Sequence, residues 1–216
     1  MTKAILKLSQ KYNGNWDKVY EAISAKERIE IEKGSLDNIK DSYIFIGDNN
    51  YPNKLKEILV PPFFLFYKGD AELLENNNVI SINFDVNEEQ IKEIIKKLSI
   101  DQENVICMNT AQITTSVYNY LKSKNIRLII VAEGGINLSK YVDLIQQNDL
   151  VISEYCDHTT YDAASDQSIE RLVFAFGDKL IINTDAMFEN SNNKLLINQK
   201  QIKKPLFDSK TLKEIA

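Results

Sequence analysis

The residues whose types and spacing suit chemistry lie mostly in one stretch, residues 150–185. The pattern there is a strand, a polar loop, a helix and a second strand. Ser153 and Glu154 stand at the predicted end of the first strand, and Arg171 lies in the helix that follows. Open α/β sheets place ligand sites where a strand end precedes a helix start. A guanidinium at such a position is suited to bind phosphate.

The polar loop also holds residues that could bind a metal or act as a nucleophile with its base. Cys156 and His158, the single histidine, are two positions apart. They supply only two candidate ligands, and no second cluster occurs in the sequence, so no metal site is predicted. A catalytic Cys–His pair lacks further support. Glu154, Asp157 and Asp162 are interpreted as solvated loop acids. The sequence therefore predicts no catalytic residue, no enzyme activity and no cofactor.

The elements that position these residues follow a strand–helix alternation from residue 79 onward. Apolar runs of strand length separate amphipathic helices, which predicts right-handed βαβ units and a mainly parallel sheet. The predicted fold class is α/β, a Rossmann-like sheet flanked by helices. Strands are predicted at 79–84, 105–108, 127–132, 150–155, 180–183 and 194–197, and helices at 88–98, around 116–121, at 138–147, at 166–176 and at 211–216.

The first part of the chain, residues 1–46, has a helical pattern with few strand signals. Apolar residues recur there at three- and four-residue steps, and Asn15 is a candidate helix cap. A second short helix is predicted at 24–33. Trp16 is interpreted as core packing of a small helical bundle. The predicted division is a helical segment at 1–46 and a Rossmann-like domain at 47–216.

Glycines that would cradle a phosphate are scarce. The turn after the predicted strand at 79–84 reads Asp85-Val86-Asn87, so a dinucleotide fingerprint is absent, and no Walker-type loop occurs. Gly134-Gly135 is the only glycine pair, and it follows a strand. It is compatible with a tight turn or with a residual phosphate-contacting loop.

Two blocks of the sequence resemble the DNA-processing protein A (DprA/Smf) family, and the resemblance covers roughly residues 45–205. The first block is Tyr51-Pro52, a helix, Pro61-Pro62, a hydrophobic strand at 63–67 and a Lys68-Gly69-Asp70 turn. The second is Ser153-Glu154-Tyr155, a variable loop, and Ile169-Glu170-Arg171 at the position of the family's Arg-Asn-Arg. Only one arginine of that basic pair is present. The family's glycine-rich turn with an arginine is replaced by Asn83-Phe84-Asp85, and Glu133 replaces a further glycine.

The resemblance implies a protein that binds single-stranded DNA and loads a recombinase onto it, and a homodimer is expected. The predicted DNA- or phosphate-binding residues are Arg171, Gly135, Ser153 and Lys68, and Lys140 could contribute. A phosphate chain requires several basic groups in one groove, so the loss of arginines predicts weak binding. Two alternatives are a degenerate Rossmann-fold protein-interaction module and a small-nucleotide-binding protein without DNA binding.

Composition limits these functions further. The net charge of −5 and the pI near 5.1 argue against a surface that broadly coats nucleic acid. No apolar run has the length of a membrane span and no signal-peptide pattern opens the chain, so no membrane partner and a cytoplasmic location are expected. The two cysteines are expected to be free thiols.

Overall fold

A mixed sheet organises the part of the chain that the computed structural model describes, namely residues 1–31, 34, 36, 39–138, 146, 148–156, 159, 165–184 and 204–215. Its strand order is β1-β2-β6-β5-β4-β3-β7-β8. The six strands from β6 to β8 in this order are parallel, and β2 pairs antiparallel with both β1 and β6. The strands are β1 Ser42–Phe45, β2 Phe64–Gly69, β3 Val79–Asn83, β4 Val105–Asn109, β5 Arg127–Val131, β6 Leu150–Ser153, β7 Lys179–Ile182 and β8 Leu206–Asp208.

Helices cover both faces of this sheet, which confirms the predicted fold class. The helices are α1 Thr2–Lys11, α2 Trp16–Ser24, α3 Asn53–Lys56, α4 Glu88–Lys97, α5 Thr115–Ser123 and α6 Ser165–Phe176. In β5, Leu128 and Ile130 pack into the core beneath α4 and α5, whereas Ile129 and Val131 pack into the core beneath α3 and α6. Successive side chains of a strand point to opposite faces, so a strand covered on both sides is apolar throughout.

Local sequence chemistry accounts for several helix starts. The Asn15 side chain accepts a hydrogen bond from Lys18 N at 3.0 Å, which confirms the predicted cap of α2. Asn87 and Gln90 form a capping box at the start of α4. Thr114 caps α5 by accepting a hydrogen bond from Val117 N.

The helical interpretation of residues 1–46 is wrong in two places. The second helix predicted at 24–33 does not form, because α2 ends at Ser24 and residues 27–31 are not helical. Residues 42–45 form strand β1, whose partner is β2. The sheet therefore begins before the predicted boundary at 46, while the division into two domains stays a prediction.

Two other predicted segments have a different structure, and two lie mostly or wholly outside the described residues. Lys68 and Gly69 belong to β2 rather than to a turn. Gly69 has φ +108°, and a Cβ there would lie 2.1 Å from the Asp149 carbonyl oxygen, so only glycine fits. Residues 211–215 are not helical. The predicted helix at 138–147 lies mostly, and the predicted strand at 194–197 wholly, outside the described residues. Within the described ranges, no helix is long and apolar enough to cross a membrane.

Candidate functional site

The topology creates a crevice at the carboxyl edge of the parallel strands. From β3 the chain proceeds through β4 and β5 to β6 on one side, and then returns to the other side of β3 to form β7. Ligands of open α/β sheets bind outside the carboxyl ends of strands where the order reverses in this way. The order reverses between β3 and β7, whereas the candidate residues of the sequence analysis follow β5 and β6 at the same carboxyl edge of the sheet.

Ser153 ends β6 and is fully buried. Its hydroxyl donates to the Gly134 carbonyl at 2.6 Å and accepts from Tyr155 N at 2.9 Å. It thereby ties the loop after β5 to the turn after β6. The side chain predicted to contact phosphate is thus engaged inside the protein.

Arg171 reaches the same strand end from the second turn of α6. Its Nη2 donates to both carboxylate oxygens of Glu154, at 2.8 Å and 2.5 Å. Relative exposure of the two side chains is 12% for Arg171 and 4% for Glu154, so this ion pair is largely buried. The guanidinium lies beside the end of β6, where the Glu154 carboxylate neutralises its charge. Arg171 Nε has no hydrogen-bond partner among the described residues.

The two sequence blocks meet at this ion pair. Tyr51 is buried and donates its hydroxyl to the Pro62 carbonyl at 2.7 Å. Burial and then the negative charge of Glu154 raise the pKa of Tyr51, while Arg171 acts in the opposite direction. The Tyr-Pro segment and the Ser-Glu-Tyr segment therefore share one environment. The sequence analysis named Tyr51 only as the start of the first block.

Gly135 lies in the loop after β5 and is buried. Its backbone N–H donates to the Thr159 carbonyl at 2.9 Å. A phosphate-cradling loop requires backbone N–H groups that point into open space. This geometry favours the tight-turn alternative for the glycine pair.

Lys68 is exposed on β2, where its register partner is Val151 of β6. Because β2 runs antiparallel to β6, Lys68 lies closer to the amino end of β6 than Phe66, which pairs with Ser153. The structure therefore brings together Ser153, Gly135 and the Arg171 pair, but it does not bring Lys68 into that group. Lys140 lies outside the described residues.

Other polar side chains at this edge, which the sequence analysis did not single out, form hydrogen bonds with nearby groups, mostly of the backbone. The Thr110 hydroxyl donates to the Val131 carbonyl at 2.7 Å, and the Asn109 side chain accepts from Ala111 N at 3.0 Å. The Gln112 amide lies 3.3 Å from the Asn83 side-chain oxygen. Each follows or flanks an apolar strand, and that position is the only sequence signal that would have identified them.

The charges at the carboxyl edge are mixed. Asp85 is exposed after β3, and Glu133 is half-buried after β5. Of these acids and Glu154, only Glu154 contacts the Arg171 guanidinium. Within the described part of the chain, no three His, Cys, Asp or Glu side chains are grouped to hold a metal. Cys156 Sγ lies 3.5 Å from the Thr159 hydroxyl, and His158 lies outside the described residues.

The fold and this edge define a Rossmann-like α/β protein whose candidate site residues are hydrogen-bonded to one another or to nearby loops. The family model described as DNA recombination-mediator protein A matches residues 42–189, from the first residue of β1 to beyond β7. The chain belongs to the DNA recombination-mediator protein A family. This membership confirms the resemblance and assigns the chain to DNA processing.

Solved structures show the same fold. DNA processing protein A from Streptococcus pneumoniae superposes with a TM-score of 0.68 at 19% identity, covering 94% of this chain and 79% of that chain. DNA processing protein A from Helicobacter pylori, whose structure describes a single-stranded DNA binding mode, gives a TM-score of 0.57 at 21% identity. That match covers 79% of this chain and 81% of the other. A search of curated proteins found no match.

Proposed function

We propose that this protein binds single-stranded DNA at the carboxyl edge of its sheet and acts with a recombinase, as a mediator rather than an enzyme. The observation that carries the proposal is the placement of Arg171 by α6 beside the end of β6. Family membership and the DNA binding mode described for the Helicobacter pylori protein support the same ligand. A homodimer in the cytoplasm is part of this proposal and rests on the family alone.

The electrostatics of the edge support weak rather than tight binding. Glu154 neutralises Arg171, and Asp85 and Glu133 add negative charge where a phosphate chain would lie. The backbone N–H of Gly135 and the hydroxyl of Ser153 are already hydrogen-bonded. A bound phosphate must therefore compete with Glu154 for the guanidinium. Long-range attraction of DNA is also opposed by the net charge of −5.

Anisotropy titrations of a labelled oligothymidine at several salt concentrations test this function. Each phosphate contact on a single strand contributes about 0.7 to the slope of log affinity against log salt. We expect weak binding with a slope corresponding to one or two contacts. Tight binding at physiological salt with a steep slope would show that further basic groups converge on the strand.

Substitutions at the ion pair locate the site. Glu154→Gln releases Arg171 from its counter-charge and is expected to tighten binding about tenfold, since one hydrogen-bonded charge contributes roughly 1.5 kcal/mol. A gain of affinity cannot arise from unfolding. Arg171→Gln is expected to weaken binding and to reduce the salt slope by about 0.7. Arg127→Gln is the matched control, because Arg127 begins β5 at the opposite edge of the sheet.

A second function, a protein-interaction module without DNA binding, is favoured by the internally satisfied crevice. It predicts no oligonucleotide binding at any salt concentration and no effect of either Glu154→Gln or Arg171→Gln. Light scattering of the same samples measures the oligomeric state, and a monomer at micromolar concentration would contradict the proposed homodimer.

A further inference from the structure

Three aromatic rings stack in a column where α2 meets the loop before β2. The Trp16 ring lies between Phe63, at 5.3 Å and an interplanar angle of 17°, and Tyr20, at 5.0 Å and 9°. Trp16 Nε1 donates to the Pro61 carbonyl at 2.8 Å, which fixes the middle ring. Tyr20 ends the column and is 53% exposed. The column therefore presents one positioned ring to solvent.

The open face of Tyr20 is turned away from the column, towards the carboxyl end of α2. Ser24 stands one turn further along the helix, and its side chain is too short to cover the ring. Lys26, exposed just beyond the helix end, has no ion-pair partner among the described residues. Asp17 lies three residues back, on the covered side, and Glu21 is displaced by about 100° around the helix. No carboxylate of α2 therefore lies over the open face, and a polyanion can approach it.

The helical pair that carries the column is packed on the Arg171 ion pair. Gly14, two residues before Trp16, lies against the Tyr155 ring, where an added Cβ would be 2.5 Å from Cδ1. Tyr155 directly follows Glu154, the partner of Arg171. The amino-terminal helices are thus the neighbours of the carboxyl edge in this direction, and a strand bound at the ion pair can continue onto α2.

We propose that Tyr20 is a stacking platform for a base of single-stranded DNA and that it extends the binding surface from Arg171 onto α2. This inference rests on the proposed DNA binding. Proteins that hold single strands without sequence preference combine cations along the backbone with aromatic side chains on which bases stack. The base becomes the fourth ring of the column. An arginine of a partner protein would also stack there, but it would find no carboxylate over the ring to bind its guanidinium.

Stacking and phosphate contacts differ in their response to salt. Each phosphate contact adds to the slope of log affinity against log salt, whereas stacking of an uncharged base does not. Tyr20→Ala is expected to weaken the binding of labelled oligothymidine by about fivefold or more at every salt concentration, with an unchanged slope. Tyr20→Phe keeps the ring and is expected to retain the affinity. Tyr43→Ala is the matched control, because this exposed tyrosine packs edge-on against Phe64 at 81° and continues no column.

An abasic oligomer with the same number of phosphates separates the base from the backbone. We expect it to bind the wild-type protein more weakly than oligothymidine does, and to bind the wild-type protein and Tyr20→Ala equally. Trp16 is the only tryptophan of the chain and lies directly beneath Tyr20. Its emission is expected to change saturably with oligothymidine and to stay unchanged with the abasic oligomer.

The outcomes distinguish this platform from the DNA binding on which it rests. Equal affinity of the wild-type protein and Tyr20→Ala for oligothymidine, with both folded by circular dichroism, would rule out the platform. The DNA-binding function would still stand if Arg171→Gln reduced the salt slope. No binding of oligothymidine by the wild-type protein would overturn both. An emission change that depends on Tyr20 and occurs only with an arginine–glycine peptide, or only on dilution of the protein, would identify a partner protein or a second copy as the occupant instead.

Discussion

At the residue scale, the Ser-Glu-Tyr segment after β6 functions as a junction. Ser153 bonds the loop after β5, Glu154 binds Arg171 of α6, and the Tyr155 hydroxyl lies 2.6 Å from the Ser168 hydroxyl. All three junction residues are buried. A motif that resembles a ligand site by sequence therefore also holds three separate elements together. Any ligand that binds Arg171 acts on this junction.

The buried ion pair gives the first prediction. Arg171→Ala leaves Glu154 buried without its partner, and removing one member of a buried pair costs about 3–5 kcal/mol. Urea unfolding followed by circular dichroism measures this change. The double variant Arg171→Met with Glu154→Met is expected to recover most of the lost free energy of unfolding, because no unpaired charge remains. If the loss in the double variant equalled the sum of the losses in Arg171→Met and Glu154→Met, the two side chains would not be coupled.

At the element scale, two lysine side chains hold the carboxyl end of α6. Lys54 Nζ donates to the Phe176 carbonyl at 3.0 Å, and Lys204 Nζ donates to the Ala175 carbonyl at 2.7 Å. Cations stabilise the carboxyl end of a helix, where carbonyls lack intrahelical partners. Burial, and then the charge of Lys54, lower the pKa of Lys204 to about 8. These contacts fix the helix that presents Arg171.

The end of β8 gives a pH-dependent prediction. The Asp208 carboxylate accepts hydrogen bonds from the Thr184 hydroxyl at 2.5 Å and from Thr211 N at 2.8 Å. These bonds, the Thr184 hydroxyl first, lower the pKa of Asp208 from 3.8 to about 2. Since the folded-state pKa lies below the unfolded one, the stabilisation is complete above 3.8 and is lost as pH falls through about 2.

Asp208→Asn is therefore expected to lower the melting temperature at neutral pH and to reduce its dependence on pH between 3.8 and about 2. Thermal melts of both proteins across that range measure the effect. Lys68→Ala, an exposed change on β2, is the control and is expected to leave the melts unchanged. If the melting temperatures of the wild-type protein and of Asp208→Asn changed equally with pH, the Asp208 carboxyl would not be the source of this pH dependence.

At the scale of the whole molecule, the turn between α1 and α2 docks on the junction. Gly14 has φ +72°, and a Cβ there would lie 2.5 Å from Cδ1 of Tyr155. The Trp16–Pro61 hydrogen bond is a second contact between the helical pair and the segment before β2. The amino-terminal helices are thus attached directly to the edge that carries the candidate site.

Gly14→Ala tests this attachment. The left-handed backbone costs a non-glycine residue about 1–2 kcal/mol, and the added methyl group displaces the Tyr155 ring. Hydrogen exchange is expected to accelerate at the amides of α1 and α2 while those of β4 and β5 stay protected. Tyr155→Phe keeps the ring and is the control. Equal acceleration in the central strands would show that the helical pair and the sheet unfold as one unit.

The sequence by itself determined the central strands and the helices between them. Strands β3 to β7 are buried on both faces, so their apolar runs are continuous and mark them clearly, and helix caps such as Asn15 and Thr114 use neighbours along the chain. The short outer strands were missed, because β1 exposes Ser42 and Tyr43 and is recognisable mainly by its pairing with β2.

The state of the candidate site was decided by tertiary structure. The sequence analysis proposed Arg171, Ser153 and Gly135 as candidates, but their partners Glu154, Gly134 and Thr159 are set by how the loops meet at the sheet edge. Lys68 lies apart because β2 is antiparallel to β6, and strand direction is not encoded in an apolar run. Periodicity is a local property, whereas a binding site is a set of contacts between distant residues. The sequence therefore determined the scaffold and the family, and the folded chain decided which groups are left to bind.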